Sequence, residues 1–275
     1  MRRLVHLSDL HFGCVNHALI EPLTARVKQL QPDLVVVSGD LTQRARPAQF
    51  MEARRFLDTL PMPQIVVPGN HDVPLYNLYQ RSVQPLHKFR RYIAADPEAG
   101  YFDNEIAVVG INTARSFALK GGRINEAQVE RVRARLCDQD RRKIKIIVSH
   151  HPFDLPADRS RNQLVGRAAM AMQTFAHCGA DLLLAGHLHV SHAGDTTARY
   201  KLGNFSALVV QAGTATSTRR RSESNSFNAL TIKPAQVRVE RFTWNPALRD
   251  FVLSAIEEYD HTYNGWRRKT SSDQP

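Results

Sequence analysis

Five short motifs of this sequence place carboxylate, imidazole or amide side chains directly after a short apolar run. The motifs are LSDLHFG (7–13), SGDLTQ (38–43), PGNHDV (68–73), SHHPF (149–153) and AGHLHV (185–190). In the first and last motifs, polar residues stand two positions apart, a spacing that directs both side chains to one side of an extended chain. Because α/β sheets collect ligand-binding residues at the carboxyl ends of their strands, we expect the motifs to converge.

Side chains of these types, in this number, predict a site for divalent transition metals. Carboxylates and imidazoles without a cysteine ligand suit Mn, Fe, Zn or Co. One ion cannot use all of these side chains. Two ions about 3.5–4 Å apart, bridged by a carboxylate and a hydroxide, can use them, and such ion pairs commonly catalyse the hydrolysis of phosphate esters. A single buried Asp or His is more often a hydrogen-bonded core residue, so the prediction depends on the recurrence of the motifs.

The motifs DLH, GDLT, GNHD, HHP and GHLH, in this order over residues 9–189, resemble the signature of the calcineurin-like metallophosphoesterases. The resemblance implies two metal ions that are bridged by Asp40. The first ion would also be held by Asp9, His11 and His189, and the second by Asn70, His150 and His187. In SHHPF, His150 fits the ligand position because it precedes Pro152 by two residues, and the role of His151 stays open.

The GNHD motif also supplies the expected proton donor. A hydroxide that bridges the two ions would attack phosphorus, and the leaving oxygen would then need a proton. We expect His71 to give this proton as a general acid, with Asn70 bound to a metal and Gly69 allowing a tight turn. Two interpretations of Asp72 stay open. It could accept a hydrogen bond from the other ring nitrogen of His71, or it could cap a helix.

Phosphodiester hydrolysis is the expected reaction. DLHFG followed by GDLTQRA most resembles the bacterial branch that includes class III cyclic-nucleotide phosphodiesterases, which favours 3′,5′-cyclic nucleotides as substrates. Other small anionic phosphoesters stay open: glycerophosphodiesters, phosphomonoesters, nucleic-acid ends, and the pyrophosphate of a UDP-diacylglucosamine-type precursor of lipid A. The complete ligand set disfavours a further alternative, a noncatalytic module that binds phosphate or RNA.

Arginines that follow the motifs are candidates for binding phosphate oxygens. Arg44 and Arg46 follow GDLT, and Arg115 follows the strand pattern EIAVVGI. Together with Asn70 and His71 they would contact the substrate. Surface charge explains these arginines equally well.

The formal net charge of +11 favours anionic partners, which include nucleic acid and anionic membrane surfaces as well as phosphoesters. Basic clusters stand at 141–143, 219–221 and 267–269. No aromatic interleaving accompanies them, so solvated surface charge is the preferred interpretation. A nucleic-acid partner is therefore not favoured, peripheral membrane contact stays open, and the pattern does not indicate an oligomeric state.

The predicted location is the cytoplasm. The apolar runs are far shorter than the roughly 18 residues of a membrane-spanning helix, and MRRLVHLSDL lacks the apolar region of a secretory signal. Cys14, Cys137 and Cys178 are odd in number and widely spaced. This pattern predicts reduced thiols rather than disulfides or a cysteine-ligated zinc site.

Strand patterns rich in Val, Ile and Leu alternate with helical patterns, which predicts an α/β architecture, called α+β in some schemes. The helical patterns cover 16–30, 47–60, 81–95, 125–137 and 162–178. Consecutive strand patterns near the end predict a second sheet. A four-layer αββα sandwich with helices outside, as in the metallophosphoesterases, fits this order.

The predicted phosphoesterase domain covers 1–244, and 74–95 is a candidate lid over the site because it mixes aromatic and basic residues. Residues 245–275 are predicted to form a C-terminal extension that packs on the same domain. Within it, FVLSAIEEY favours a hairpin strand and SSDQP a frayed tail.

Overall fold

The computed structural model describes residues 1–75, 78–115, 121–155, 163–196, 199–203, 205–218, 223–263 and 265–269. In chain order the described strands are β1 (Arg2–Leu7), β2 (Leu34–Ser38), β3 (Gln64–Val67), β4 (Gly100–Phe102), β5 (Ile106–Ile111), β6 (Ile144–Ser149), β7 (Leu182–Ala185), β8 (His192–Asp195), β9 (Leu208–Gln211), β10 (Ser226–Lys233), β11 (Gln236–Asn245), β12 (Asp250–Thr262) and β13 (Gly265–Arg268). The described helices are α1 (Ile20–Gln29), α2 (Pro47–Thr59), α3 (Leu78–Val83), α4 (His87–Tyr92), α5 (Glu126–Leu136) and α6 (Ala168–Cys178).

The strands form two sheets. The seven-stranded sheet has the order β13-β12-β11-β10-β1-β2-β3, and the six-stranded sheet has the order β4-β5-β6-β7-β9-β8. Neighbours among β1, β2 and β3 are parallel, and so are neighbours among β5, β6, β7 and β9. Parallel strands of this kind are buried on both faces, which explains their continuous Val, Ile and Leu runs.

Four layers of secondary structure stack on each other, with an apolar core between each two neighbouring layers. Between the sheets, side chains such as Leu4, Val36, Ile146 and Leu184 pack against each other. Helices α1, α2 and α4 cover the outer face of the seven-stranded sheet, and α5 and α6 cover the outer face of the six-stranded sheet. The predicted αββα sandwich is therefore confirmed.

The helical pattern at 81–95 corresponds to two short helices rather than one. Helix α3 ends at Val83 and α4 begins at His87. Pro85 lies between them, where its ring excludes a continuous helix. Helix α4 places Phe89 in the apolar core, and the role of 74–95 as a lid stays a prediction. Helix α6 begins at Ala168 rather than at 162.

The consecutive C-terminal strands β10–β13 extend the sheet that contains β1 rather than forming a second sheet, which corrects that prediction. Strand β12 contains the predicted FVLSAIEEY strand and pairs with β11 along its length. Strand β13 then pairs with the end of β12. The tail SSDQP lies outside the described residues, and the predicted domain boundaries stay a prediction.

Cys137 and Cys178 form a disulfide, so the prediction of reduced thiols is wrong for this pair. The two residues are 41 positions apart in the sequence, but their Cα atoms lie 4.2 Å apart because α5 and α6 end side by side. Sequence spacing carries no information about this contact. Cys14 is a free thiol.

Some residues of the described basic clusters pair with carboxylates. Arg142 lies 2.7 Å from Asp140, and Lys269 lies 3.2 Å from Asp260. These exposed pairs agree with the interpretation as surface charge. The cluster at 219–221 lies outside the described residues. Within the part of the chain that the structure describes, no helix is both long enough and apolar enough to cross a membrane.

Candidate metal centre

Each of the five motifs supplies its polar side chains where a strand ends. Strands β1, β2 and β3 of one sheet lead into Asp9, Asp40 and Asn70, and β6 and β7 of the other sheet lead into His150 and His187. Both sheets therefore contribute side chains to one edge of the sandwich, as the sequence predicts. Seven of these side chains meet in two overlapping groups.

The first cluster consists of Asp9, His11, Asp40 and His189. Asp9 Oδ1 lies 3.5 Å from His11 Nε2 and 3.4 Å from His189 Nε2. His11 Nε2 lies 3.7 Å from Asp40 Oδ2. All four residues are buried, with at most 6% of their surface exposed.

The second cluster consists of Asp40, Asn70, His150 and His187. His150 Nε2 lies 3.4 Å from Asp40 Oδ2, 3.2 Å from Asn70 Oδ1 and 3.3 Å from His187 Nδ1. The same oxygen of Asp40 thus faces both clusters. The structure brings together all seven residues that the resemblance implies, and their binding to metal stays a prediction.

The donor atoms of the first cluster fit a cation better than they fit each other. Asp9 Oδ1 and His11 Nε2 are buried without a hydrogen-bond partner among the described residues, although buried polar atoms are rarely left unpaired. Donor separations of 3.4–3.7 Å suit atoms that surround one cation at about 2.0–2.2 Å. The residues present therefore fit divalent cations.

Hydrogen bonds behind the clusters direct the ring nitrogens inwards. His150 Nδ1 donates to the carbonyl of Ser38 at 2.8 Å, which leaves the lone pair of the neutral ring on Nε2. His189 Nδ1 lies 2.5 Å from Thr214 Oγ1. Neither partner was predicted from the sequence. Ser38 belongs to a motif, but no local pattern marks Thr214.

The backbone at the motifs has an unusual conformation. Asp9, His11, Asp40, His187 and His189 all have positive φ, between +51° and +72°. Non-glycine residues pay about 1–3 kcal/mol each in this region, so it is seldom occupied without a structural or functional reason. Part of the cost is offset by backbone hydrogen bonds between the first two motifs, from Asp9 N to Gly39 O and from His11 N to Asp40 O.

The tight turn predicted at Gly69 is present, as a 3₁₀ helix over Asn70–Asp72 in which Asp72 N–H donates to Gly69 O at 3.2 Å, but glycine is needed there for space rather than for its backbone angles. Its φ of −103° is accessible to any residue. A Cβ at this position would stand 2.2 Å from Asp40 Oδ1, closer than two such atoms can approach. A larger residue would therefore displace the carboxylate that the two clusters share.

The two central carboxyl groups are anionic at neutral pH. Burial alone would raise the pKa of Asp9, but His189 and His11 outweigh burial and lower it below its ordinary value. The pKa of Asp40 is lowered in the same way by His150 and His11. The clusters are thus rich in negative charge, which a cation pair would balance.

His71 stands at the boundary between the clusters and solvent. Its backbone N–H donates to Asp40 Oδ1 at 2.9 Å, and its ring meets the His11 ring edge-on at 4.9 Å. Its Nδ1 lies 2.9 Å from the carbonyl oxygen of Gln43. Because a carbonyl oxygen only accepts, Nδ1 carries a proton and Nε2 is the atom that can exchange one.

Asp72 does not hold the His71 ring, so that interpretation is wrong. Its carboxylate accepts hydrogen bonds from the backbone N–H groups of Leu41, Thr42 and Gly69 and from the Thr42 hydroxyl. The carbonyl of Gln43 takes the expected place beside the ring. Asp72 ties the GNHD motif to the GDLT motif, and burial together with Asp40 raises its pKa to about 6.

The candidate arginines do not join the clusters in the described part of the chain. Arg115 donates to the carbonyl of Arg123 at 2.8 Å and to Gln128 Oε1 at 2.6 Å, at the start of α5. Arg44 and Arg46 are exposed at the start of α2. Their contacts with a substrate stay a prediction.

Comparison with known proteins agrees with this geometry. The model of the calcineurin-like phosphoesterase family matches residues 2–191. The glycerophosphodiester phosphodiesterase GpdQ of Enterobacter lignolyticus is 40% identical over 80 residues, which cover 25% of this chain and 29% of that protein. The 3′,5′-cyclic adenosine monophosphate phosphodiesterase CpdA of Escherichia coli K12 is 24% identical over 205 residues, which cover 68% of this chain and 69% of that protein.

A solved structure shows the same fold. Purple acid phosphatase PPD1 from yellow lupin superposes with a TM-score of 0.71 at 13% identity, covering 94% of this chain and 53% of that chain. The match to GpdQ spans under a third of that relative's length. The family match, in contrast, covers more than half of this chain and contains all five motifs. The chain therefore belongs to the calcineurin-like phosphoesterase family.

Proposed function

We propose that this protein is a phosphodiesterase that works with two divalent cations held by the first and second clusters. The observation that carries the proposal is the position of Asp40 Oδ2, 3.7 Å from His11 Nε2 in one cluster and 3.4 Å from His150 Nε2 in the other. One carboxylate oxygen can thus serve two cations. Oxygen and imidazole donors without thiolates favour Mn, Fe, Zn or Co.

When bound, such a cation pair supplies Lewis acidity towards the phosphoryl oxygens and a nucleophile from water at neutral pH. The protein holds the pair with buried carboxylates whose lowered pKa values keep them ionised. Rigid placement matters because charge stabilisation is effective only when the charged groups do not reorganise during the reaction. The hydrogen bonds behind His150 and His189 support this placement.

His71 is proposed to protonate the leaving oxygen. The hydrogen bond from Nδ1 to the Gln43 carbonyl fixes the ring so that Nε2 is the atom that would carry the transferred proton. Asp72 supports this role indirectly, because it fastens the loop that carries His71 to the backbone of Leu41 and Thr42. It acts as a positioning residue rather than a catalytic one.

The proposed substrates are 3′,5′-cyclic nucleotides. Similarity to CpdA across 68% of this chain supports this class, while similarity to GpdQ over a shorter stretch keeps glycerophosphodiesters as the alternative. The net charge of +11 would accelerate the encounter with either anion. The location in the cytoplasm also stays a prediction.

A substrate panel tests the proposal. Purified protein would be stripped with a chelator, reloaded separately with Mn²⁺, Zn²⁺, Co²⁺ and Fe²⁺, and assayed first on bis-p-nitrophenyl phosphate. Cyclic nucleotides, glycerophosphodiesters, phosphomonoesters and nucleotide-sugar pyrophosphates would follow. We expect metal-dependent turnover, highest on a cyclic nucleotide. Absence of both bound metal and hydrolysis would favour a noncatalytic binding module.

A further inference from the structure

His151 is a buried imidazole of the SHHPF motif that the proposed reaction does not use. It is 1% exposed. Its ring lies 4.5 Å from the ring of His187 and 4.8 Å from the ring of His150, measured between centroids. It therefore touches both imidazoles of the second cluster.

Thr113 and Gly122 hold the His151 ring in place. Thr113 Oγ1 accepts the backbone N–H of His151 at 3.2 Å and lies 2.8 Å from its Nδ1. No other acceptor for the Thr113 hydroxyl occurs among the described residues, so this hydroxyl donates to Nδ1. On the other side Gly122 lies so close that a Cβ there would stand 2.3 Å from Nδ1.

This contact gives His151 the opposite tautomer to its neighbour His150. In its neutral, cation-binding form, His150 donates from Nδ1 to Ser38 and keeps a lone pair on Nε2. His151 accepts at Nδ1, so its Nε2 carries the proton and has no lone pair for a cation. Its Nε2 is buried and has no hydrogen-bond partner in the described part of the chain. Of these two adjacent histidines, only His150 can therefore offer an Nε2 lone pair to a cation.

Within the second cluster, His187 is the imidazole for which the described chain provides no anchoring hydrogen bond to the surrounding protein. His150 is anchored through Nδ1 on Ser38 and His189 through Nδ1 on Thr214. His187 turns its own Nδ1 towards His150 Nε2, and the described residues offer its other ring nitrogen no hydrogen bond. Its ring orientation therefore depends on packing, and His151 provides the nearest ring.

We propose that His151 is a positioning residue that fixes the imidazole of His187, and with it the second cation position. The packed ring replaces the hydrogen bond that orients a metal-binding histidine elsewhere in this centre. The inference rests on the proposed two-cation centre. It adds that the neutral, fixed ring of His151 influences the cation affinity of the second cluster and not that of the first.

Two variants separate the ring from its hydrogen bond. His151→Asn keeps an acceptor near Thr113 but removes the ring, whereas His151→Phe keeps a ring but removes the acceptor. In calorimetric titrations of the metal-free chain with Mn²⁺, we expect His151→Asn to weaken the second Mn²⁺ about 10-fold. His151→Phe should leave the second Mn²⁺ nearly unchanged, and the first Mn²⁺ should be unchanged in both variants.

The titrations separate a failure of the proposed function from a failure of the proposed role of His151. A wild-type chain that binds fewer than two Mn²⁺ would refute the proposed function and this inference together. Two Mn²⁺ in the wild type with an unchanged second site in His151→Asn, or equal losses at both sites, would overturn only the role of His151. Melting temperatures report whether each variant folds.

Tautomers provide a test without any substitution. In the ¹⁵N-labelled, Zn²⁺-loaded wild type, long-range ¹H–¹⁵N correlations should show His151 protonated at Nε2 and unprotonated at Nδ1. A proton on Nδ1 together with a zinc-shifted Nε2 would identify His151 as a ligand, which would overturn its assignment as a positioning residue.

Discussion

The two clusters share Asp40 and otherwise differ in charge and burial. The first contains two carboxylates and two imidazoles, all nearly inaccessible to solvent. The second adds no further carboxylate to the shared one, and two of its side chains, Asn70 and His187, are partly exposed. The first cluster is built to retain a cation, because charge attraction is stronger away from water.

Asp40 therefore serves two sites that are expected to hold their cations with different affinities. We expect the first cluster to bind its cation more tightly and to release it more slowly, and the second to exchange its cation more readily. Asn70 and His187 of the second cluster are partly exposed, and so is His71, whose ring meets His11 of the first cluster. The substrate is therefore expected to approach where these three side chains reach solvent.

The strongest test removes the residue that both clusters share. Asp40→Asn should abolish the second cation, weaken the first, and lower kcat/KM about 10³-fold, because it removes the charge common to both. Metal content and turnover of bis-p-nitrophenyl phosphate measure these effects. Asp138→Asn, at an exposed carboxylate of the same chain, is the matched control. Full metal content in Asp40→Asn would contradict the shared ligand.

The next largest effect on turnover is expected for His71, which lies beside the clusters. His71→Ala should lower kcat about 10²-fold on esters with poor leaving groups and much less on p-nitrophenyl esters, because only the former need a proton. Metal content should be unchanged. His87→Ala, at an exposed histidine of α4, should have no effect. Equal losses on both kinds of ester would refute the acid role.

Proton competition should distinguish the clusters by pH. Burial lowers the pKa of His150, but the carboxylates of Asp40 and Asp9 outweigh burial and raise it to about 9 in the metal-free protein. Below that pH His150 must lose a proton before it can bind a cation. Affinity of the second cluster should therefore rise about 10-fold per pH unit between about pH 7 and pH 9.

Calorimetry in buffers of different ionisation enthalpy measures the protons released. Release of one proton with the second cation is expected over this pH range. Binding of the second cation without proton release would mean that His150 is already neutral in the metal-free protein.

The smallest expected effect comes from adding charge to the weaker cluster. Asn70→Asp gives the second cluster a carboxylate of its own and should tighten its cation about 10-fold, which corresponds to about 1.4 kcal/mol. Competition with a fluorescent chelator measures this change. Asn104→Asp, away from both clusters, controls for overall charge. An unchanged second affinity would show that charge does not cause the difference between the clusters.

Much of the architecture was predictable because it depends on local patterns. Continuous Val and Leu runs indicate buried strands, and α2, α5 and the strand at 251–259 follow their periodicity. The break between α3 and α4 at Pro85 could have been predicted from the same rules. The seven candidate ligands were identifiable because they stand in the motifs that follow strands, where α/β folds place ligand-binding side chains.

The partners of these side chains were not predictable in the same way. Asp72 binds the backbone of Leu41 and Thr42 rather than the adjacent His71. Thr113, in the segment that follows β5, binds His151. Cys137 meets Cys178 because two helices end together. None of these contacts leaves a periodic or compositional signal in the chain.

The strand and helix pattern, the chemical types of the donors and their placement at strand ends could be read from the amino-acid sequence, since these depend on neighbours along the chain. The packing of the layers sets the position of Asp40 Oδ2 between both clusters, the contact between Thr113 and His151 and the pairing of the thiols. Those properties depend on distances of a few ångströms between segments from both sheets, and such distances arise only when the layers pack.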